Sequence, residues 1–332
     1  MPGRGAVVGG KYPRMLAAAA ILLALLPVST FAQAPVANAP ASSRTDHFKI
    51  SVNVGLVVLP VTVTNRRGDF VSGLRAQNFQ VYEAGRPQPI TLFEPEDVPV
   101  TVGLVVDNSG SMGPKRPGVV AASLAFVASS NPGDQMFVVN FNQRVLLGLP
   151  SSMPFTSDAG LLRGALAKNP PSGNTALYDG IAAGLEHLKA GTGERRALIV
   201  VSDGGDNASH LRLQNLLKTA ESSNAIIYTI GILDQTYSDE NPGVLKQLAK
   251  ATGGQAYFPQ SASEVSNVAE QIAREIRRQY TIGYVPSSLS SSGNYRAIRV
   301  KVSAAGDGKL YVRTRAGYLI SPEAPSAAGP AR

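Results

Sequence analysis

Four apolar runs constrain this chain more than any other feature of its sequence. Residues 100–106 (VTVGLVV), 136–141 (MFVVNF), 197–202 (ALIVVS) and 225–232 (AIIYTIGI) are nearly free of polar side chains. A strand with one face in water alternates apolar and polar residues, whereas an unbroken run belongs to a strand covered on both faces. Helical patterns lie between the runs. Pro117 can open a helix that continues through Val119, Val120, Leu124 and Val127. Residues 176–188 set Leu177, Ile181, Leu185 and Leu188 at helical spacing, and 211–221, 242–251 and 263–278 read as further helices. Strands alternating with helices predict an α/β fold with a doubly wound, mostly parallel sheet over residues 98–278.

Both flanks of this unit change to β character. Over residues 46–97, Ile50, Val52 and Val54 alternate with polar or small residues and 57–63 is β-branched. Asn65-Arg66-Arg67-Gly68-Asp69 is turn chemistry, and short strands fit 79–82 and 90–93. Over residues 279–320, strands fit 280–284, 296–302 and 310–315, and Asp307-Gly308 is a hairpin signal between the last two. Neither flank has enough strands to stand alone. The expectation is one small β-sandwich built from both flanks, with the α/β domain inserted in it.

The amino-terminal end reads as a secretory signal over residues 1–34. Arg4, Lys11 and Arg14 precede an apolar run at 15–28, and Ala32-Gln33-Ala34 gives a small-x-small cleavage pattern. That run is about 14 residues, short of the roughly 20 that span a bilayer. Export to the periplasm or beyond is therefore expected, with no membrane span after cleavage. Residues 35–45 and 321–332 are rich in Ala, Pro and Ser, as linker and tail are.

Composition narrows the chemistry. The chain has 332 residues and no cysteine, which excludes disulfide frameworks, thiolate metal sites and cysteine nucleophiles. The formal charge of +8 falls to +5 once the three basic residues of the signal segment leave, since no acidic residue lies there. The densest basic cluster, Arg274, Arg277 and Arg278, sits among Glu270 and Glu275 and reads as a solvated helix face. With no interleaved aromatics or recognisable motif, nucleic acid is not an expected partner.

The first strand of the α/β unit ends in Asp107-Asn108-Ser109-Gly110-Ser111-Met112. In open parallel sheets, ligands bind outside the carboxyl ends of strands. Thr175 stands just before a helix, and Asp203 follows the run 197–202. Asp107, Ser109, Ser111, Thr175 and Asp203 offer only oxygen, which suits a hard cation: Mg²⁺ first, with Mn²⁺ or Ca²⁺ as alternatives. The Ser residues could instead cap the following turn. Asp179 and Asp206 read as capping or loop-fixing residues, and Asn142 as a rim or turn residue. Tyr280, Tyr284, Tyr295 and Tyr318 read as sandwich core or edge.

These residues and their strand contexts resemble the metal-ion-dependent adhesion site of von Willebrand factor type A domains. That pattern is Asp-x-Ser-x-Ser, a Thr before a helix, and an Asp-Gly after a buried strand. The resemblance implies direct ligation of the metal by Ser109 and Ser111. Thr175 would ligate directly or through water, and Asp107 and Asp203 would act largely through water. It also implies a protein partner whose Asp or Glu carboxylate completes the shell. The flanks VNVGLVVLPVTVTNRRGDFVSGLRAQNFQVYEAG and RRQYTIGYVPSS, YRAIRVKV and VRTRAGY are similar to von Willebrand A-related proteins of acidobacteria. The segment Gly113-Pro114-Lys115-Arg116-Pro117 departs from the family pattern and bears on the rim of the site.

Enzyme motifs are lacking. Ser109 and Ser111 have no Gly-x-Ser-x-Gly frame, and Asp107-Asn108-Ser109 has Ser where an aspartate-based phosphatase needs a second Asp. The residues of 306–310 do not make a P-loop. The expected function is an exported, non-catalytic, cation-dependent protein-binding module. The alternatives are a metal-dependent hydrolase or accessory enzyme, and a structural surface protein with a silent site.

Overall fold

The computed structural model describes residues 55–95, 97–168, 170–234, 240–287, 295–304 and 308–319. The signal segment, the linker, the positions Ile50, Val52 and Val54, and the tail expected from the sequence lie outside them.

The amino-terminal β flank contributes β1 (Val57–Thr64), β2 (Phe79–Glu83), β3 (Arg86–Gln88) and β4 (Ile90–Glu94). The α/β unit follows as β5 (Val100–Asp107), α1 (Arg116–Ala128), β6 (Gln135–Phe141), β7 (Val145–Leu147), α2 (Ala159–Ala167) and α3 (Leu177–Leu188). It continues with β8 (Arg195–Ser202), α4 (Leu213–Ser222), β9 (Ala225–Gly231), α5 (Pro242–Thr252), β10 (Ala256–Tyr257) and α6 (Ala262–Arg277). The carboxyl flank adds β11 (Tyr280–Tyr284), β12 (Tyr295–Val302), β13 (Tyr311–Arg313) and β14 (Gly317–Leu319).

The central sheet runs β10-β9-β8-β5-β6-β7. Its first five strands are parallel, and β7 pairs antiparallel with β6 at the edge. Every residue of β5 and β9 is buried, as their unbroken apolar sequences require. The helices group as α1 with α2 and α6, and as α3 with α4 and α5. α6 shows why such a helix docks: Val265, Ala269, Ile272 and Ile276 recur every three or four residues and all are buried.

The centre of the sheet tolerates no extra volume. A Cβ built on Gly103 in β5 would lie 2.4 Å from the Phe137 ring and 2.5 Å from Leu198 Cδ2. Gly103→Val is therefore expected to destabilise the chain by about 1–3 kcal/mol through overpacking. Urea denaturation reads this directly, and an unchanged midpoint would show that the core yields there at no cost.

Both antiparallel sheets mix strands from before and after the α/β unit. One runs β13-β1-β11-β4 and the other β14-β12-β2-β3. Leu59, Val61, Phe79, Val81, Tyr280, Ile282, Tyr284, Ile298 and Val300 form their shared core. The α/β domain is thus inserted into a β-sandwich, entering after β4 and leaving into β11, which pair with each other. Asp307 of the hairpin turn expected at Asp307-Gly308 lies outside the described residues. Among the described residues, β12 pairs with β2 and β14, whereas β13 pairs with β1 in the opposite sheet.

The basic helix end also differs in part from the solvated face expected of it. Arg274 makes an exposed pair with Glu270, but Glu275 is 1% exposed. It accepts hydrogen bonds from Tyr228 (2.7 Å), Thr62 (3.2 Å) and Arg313. Partners from the sandwich and from the parallel sheet turn this side of α6 into an interface between the two.

Candidate metal centre

The carboxyl ends of β5 and β8 lie side by side, because Val106 of β5 is in register with Val201 of β8. Each strand then hands over to a turn built around an aspartate. Asp107 Oδ1 accepts from Ser109 N at 2.8 Å, and Asp203 Oδ1 accepts from Gly205 N at 3.1 Å. Such self-bonded Asp turns fix the chain locally. Gly204 has φ of +87°, and a Cβ there would sit 2.3 Å from the Asn241 carbonyl oxygen. Only glycine fits, which accounts for the Asp-Gly pair after the strand.

Four of the five expected ligands meet through their side chains. Ser109 Oγ and Ser111 Oγ are 3.2 Å apart, and Ser111 Oγ donates to Asp203 Oδ2 at 2.7 Å. Asp107 closes the group through Ser202, whose Oγ donates to Asp107 Oδ2 at 2.6 Å and accepts from Gly204 N at 3.0 Å. Thr175 is held by its main chain. Its N donates to Asn207 Oδ1 at 2.8 Å, and its carbonyl accepts from the Asn207 and Ala208 amides. The Gly110 N–H to Gly173 carbonyl bond, 3.0 Å, brings that loop against the serine turn. No hydrogen bond among the described residues joins the Thr175 hydroxyl to the other four.

Asp107, Ser109, Thr175 and Asp203 are each no more than 2% exposed, while Ser111 is half-buried and Gly110 is exposed. The group therefore opens to solvent at Gly110 and Ser111. Burial pushes the Asp107 carboxyl up from 3.8 to about 6, and the charge of Asp203 adds to this. The hydrogen bonds from Ser109 and Ser202 act against the rise.

The donors fit a hard cation. Adjacent oxygens on an octahedral Mg²⁺ at 2.0–2.1 Å lie about 2.9 Å apart, close to the Ser109–Ser111 spacing. No three His, Cys, Asp or Glu side chains among the described residues gather as a metal site. Any ion here would rely on hydroxyls and water as well as two carboxylates. A histidine base is absent from the group. Of the described histidines, His187 bonds the Pro154 carbonyl and His210 bonds Asp179.

Surrounding residues hold the loops. Asp179 accepts from the His210 and Leu211 amides, both at 2.9 Å, and Asp206 Oδ1 accepts from Tyr178 N and Ser209 Oγ. Both fix the 206–211 segment to the start of α3. Asn142 serves its own turn by accepting from Arg144 N at 2.9 Å. Arg116 bonds Asn108 Oδ1 and the Leu166 carbonyl, tying the turn after β5 to α2.

Sequence reasoning missed two charged neighbours. Lys115 Nζ lies 3.6 Å from Asp203 Oδ2 and 2.9 Å from Glu240 Oε1. Lys115 lies in the segment that departs from the family pattern. Glu240 comes from just ahead of α5, and nothing local in the sequence marks it.

The profile of the von Willebrand factor type A domain matches residues 102–205, which contain all five candidate ligands. The von Willebrand factor type A structure from Catenulispora acidiphila is 13% identical over 80% of this chain and 74% of its own, with a TM-score of 0.50. BatB from Bacteroides thetaiotaomicron is 19% identical over 53% of this chain and 98% of its own, with a TM-score of 0.44. The vWF domain of a type V pili tip protein from Porphyromonas gingivalis is 15% identical over 55% and 97%, with a TM-score of 0.43. No curated protein sequence matches the chain. Among the described residues, no helix is long and apolar enough to cross a membrane.

Proposed function

We propose that this chain, which carries a von Willebrand factor type A domain, is an exported, non-catalytic module that binds a protein partner through a divalent cation. The observation that carries the reading is the junction of Ser109, Ser111 and Asp203 side chains at the open end of the β5–β8 edge. Asp107, Ser109, Ser111, Thr175 and Asp203 would hold Mg²⁺, or Mn²⁺ or Ca²⁺ in its place. Neutral hydroxyls leave such an ion electron-poor, so it favours a further carboxylate. Ser111 is the half-buried member, and an Asp or Glu of the partner would approach from its side. Export follows from the signal segment, and adhesion or envelope assembly is the setting it suggests. The flanking β segments resemble those of the vWA-related proteins of acidobacteria, which favours the same reading.

The test is capture from an envelope extract by the immobilised protein. Partner recovery is expected with Mg²⁺, and it should fall at least about tenfold in EDTA or in Ser111→Ala. Equal recovery in all three conditions would sink the cation-dependent reading. Turnover of a hydrolase substrate panel by the purified protein would favour the enzyme instead.

One observation favours a second reading, a structural protein with a silent site. Lys115 already places a positive charge beside Asp203. Under that reading, Mg²⁺ changes neither stability nor binding.

A further inference from the structure

We infer that Lys115 is a tethered cation that competes with the divalent ion for Asp203 and so sets how tightly the site holds it. The inference rests on the cation-binding reading above and names a control that the reading does not contain.

Three observations carry it. The Lys115 side chain is only 6% exposed, so its charge is not dissipated into solvent. It approaches Asp203 Oδ2, the same oxygen to which the Ser111 hydroxyl donates. An ion bound by Ser109 and Ser111 would share that oxygen's field with the ammonium, and like charges in a water-poor setting repel strongly.

The third observation is that Lys115 has a second place to rest. Glu240 Oε1 takes the closer contact with Nζ, 2.9 Å, and also accepts from Asp234 N at 2.5 Å. The next residue, Asn241, donates its N–H to the Asp203 carbonyl at 3.1 Å and caps α5 by accepting from Val244 N. Glu240 is thereby anchored close to the site. A lysine is a compact charge on a flexible stem. It can give up Asp203 to an incoming ion and keep Glu240, without moving either loop.

Two consequences follow. The site is weaker for divalent ions than its donor set alone would make it, which would reserve full occupancy for conditions of ample cation or for a partner that adds its own carboxylate. The acidic group also retains a counter-ion when divalent ions are scarce.

The experiment is calorimetric titration of the full chain with Mg²⁺ alone, alongside thermal unfolding in EDTA and in Mg²⁺. Lys115→Met and Lys115→Gln are expected to tighten Mg²⁺ binding on the order of tenfold, while Lys115→Arg, which keeps the charge, stays near the parent. In EDTA both neutral variants should melt below the parent, and Mg²⁺ should close that gap. A neutral variant that folds only with Mg²⁺ present also supports the inference, as does Mg²⁺ binding by the neutral variants when the parent shows none. If the parent binds Mg²⁺ and both neutral variants bind it equally or more weakly, the inference is wrong and the metal reading stands. If neither the parent nor the neutral variants bind Mg²⁺, both fail together.

Discussion

Glu275→Ala is expected to cost about 3–5 kcal/mol of stability, the range for removing one partner of a buried ion pair. The carboxylate is 1% exposed and takes hydrogen bonds from Thr62 of β1, Tyr228 of β9 and Arg313 of β13. Gln279 adds a second layer by donating to Thr62 Oγ1 and to the Tyr228 hydroxyl. Burial and the Glu275 charge push the Tyr228 hydroxyl well up, so that phenol stays a donor throughout the accessible pH range. Removing the carboxylate leaves Arg313 without its counter-charge and takes the acceptor from three hydroxyls, those of Thr62, Tyr228 and Tyr257. Urea denaturation followed by circular dichroism reads the loss. Because these partners span the sandwich and the parallel sheet, the variant should also separate their unfolding into two steps. The double variant Glu275→Ala with Arg313→Met should lose less than the two single losses added. A loss under about 1 kcal/mol for Glu275→Ala would show that water repairs the gap and that the network is not an interface clamp.

Asp107→Asn should move stability and metal response in opposite directions. Burial raises the folded-state pKa of Asp107 from 3.8 to about 6, so the folded chain holds that proton more tightly than the unfolded one. The resulting stabilisation is complete below pH 3.8 and is lost as the pH climbs through 6. For the parent in EDTA, this one group removes up to about 3 kcal/mol between those limits. Asparagine is nearly the same shape and carries no charge to desolvate. It can still accept from Ser109 N, and its amide can donate to Ser202 Oγ, which at present donates to Asp107. In EDTA at pH 8 the variant is expected to melt above the parent and to lose this part of the acid-side slope. Its Mg²⁺ affinity should fall by about 10–100-fold, as for residues that orient a metal's ligands. Thermal unfolding from pH 4 to 8, with and without Mg²⁺, tests both halves. A variant that keeps the parent's slope would place the titration elsewhere, and one that keeps the parent's Mg²⁺ response would remove Asp107 from the site.

Much of this was legible in the sequence because the signals were continuous or local. Strands β5, β6, β8 and β9 announce themselves as apolar runs, since only a doubly covered strand has no polar face. The turns at Asp107 and Asp203 are local as well, each built from an aspartate bonding an amide two residues on. Helix α2 escaped because it is short, contains Gly160 and Gly164, and buries only Leu162, Ala165 and Leu166. Strand β7 escaped because Leu146 and Leu147 are both exposed, which leaves no alternation to read. A turn signal after β12 does not say which strand β13 will pair with, and that strand is β1, more than 200 residues earlier in the chain. Lys115 and Glu240 are 125 residues apart, and Glu275 and Arg313 are 38 apart. Charge pairs of that kind exist only once the fold has brought their strands and helices together.

The order of strands in the sandwich sets how the molecule would carry a load. The α/β domain leaves and re-enters through β4 and β11, which are hydrogen-bonded neighbours, with Phe93 opposite Ile282. Tension applied from the β1 side to the β14 side runs through the two sandwich sheets and bypasses everything between those neighbours. The inserted domain hangs as a closed loop off the line of force. The carboxyl edge of β5 and β8, with Asp107 and Asp203, is then expected to keep its shape under a pull until β4 and β11 part.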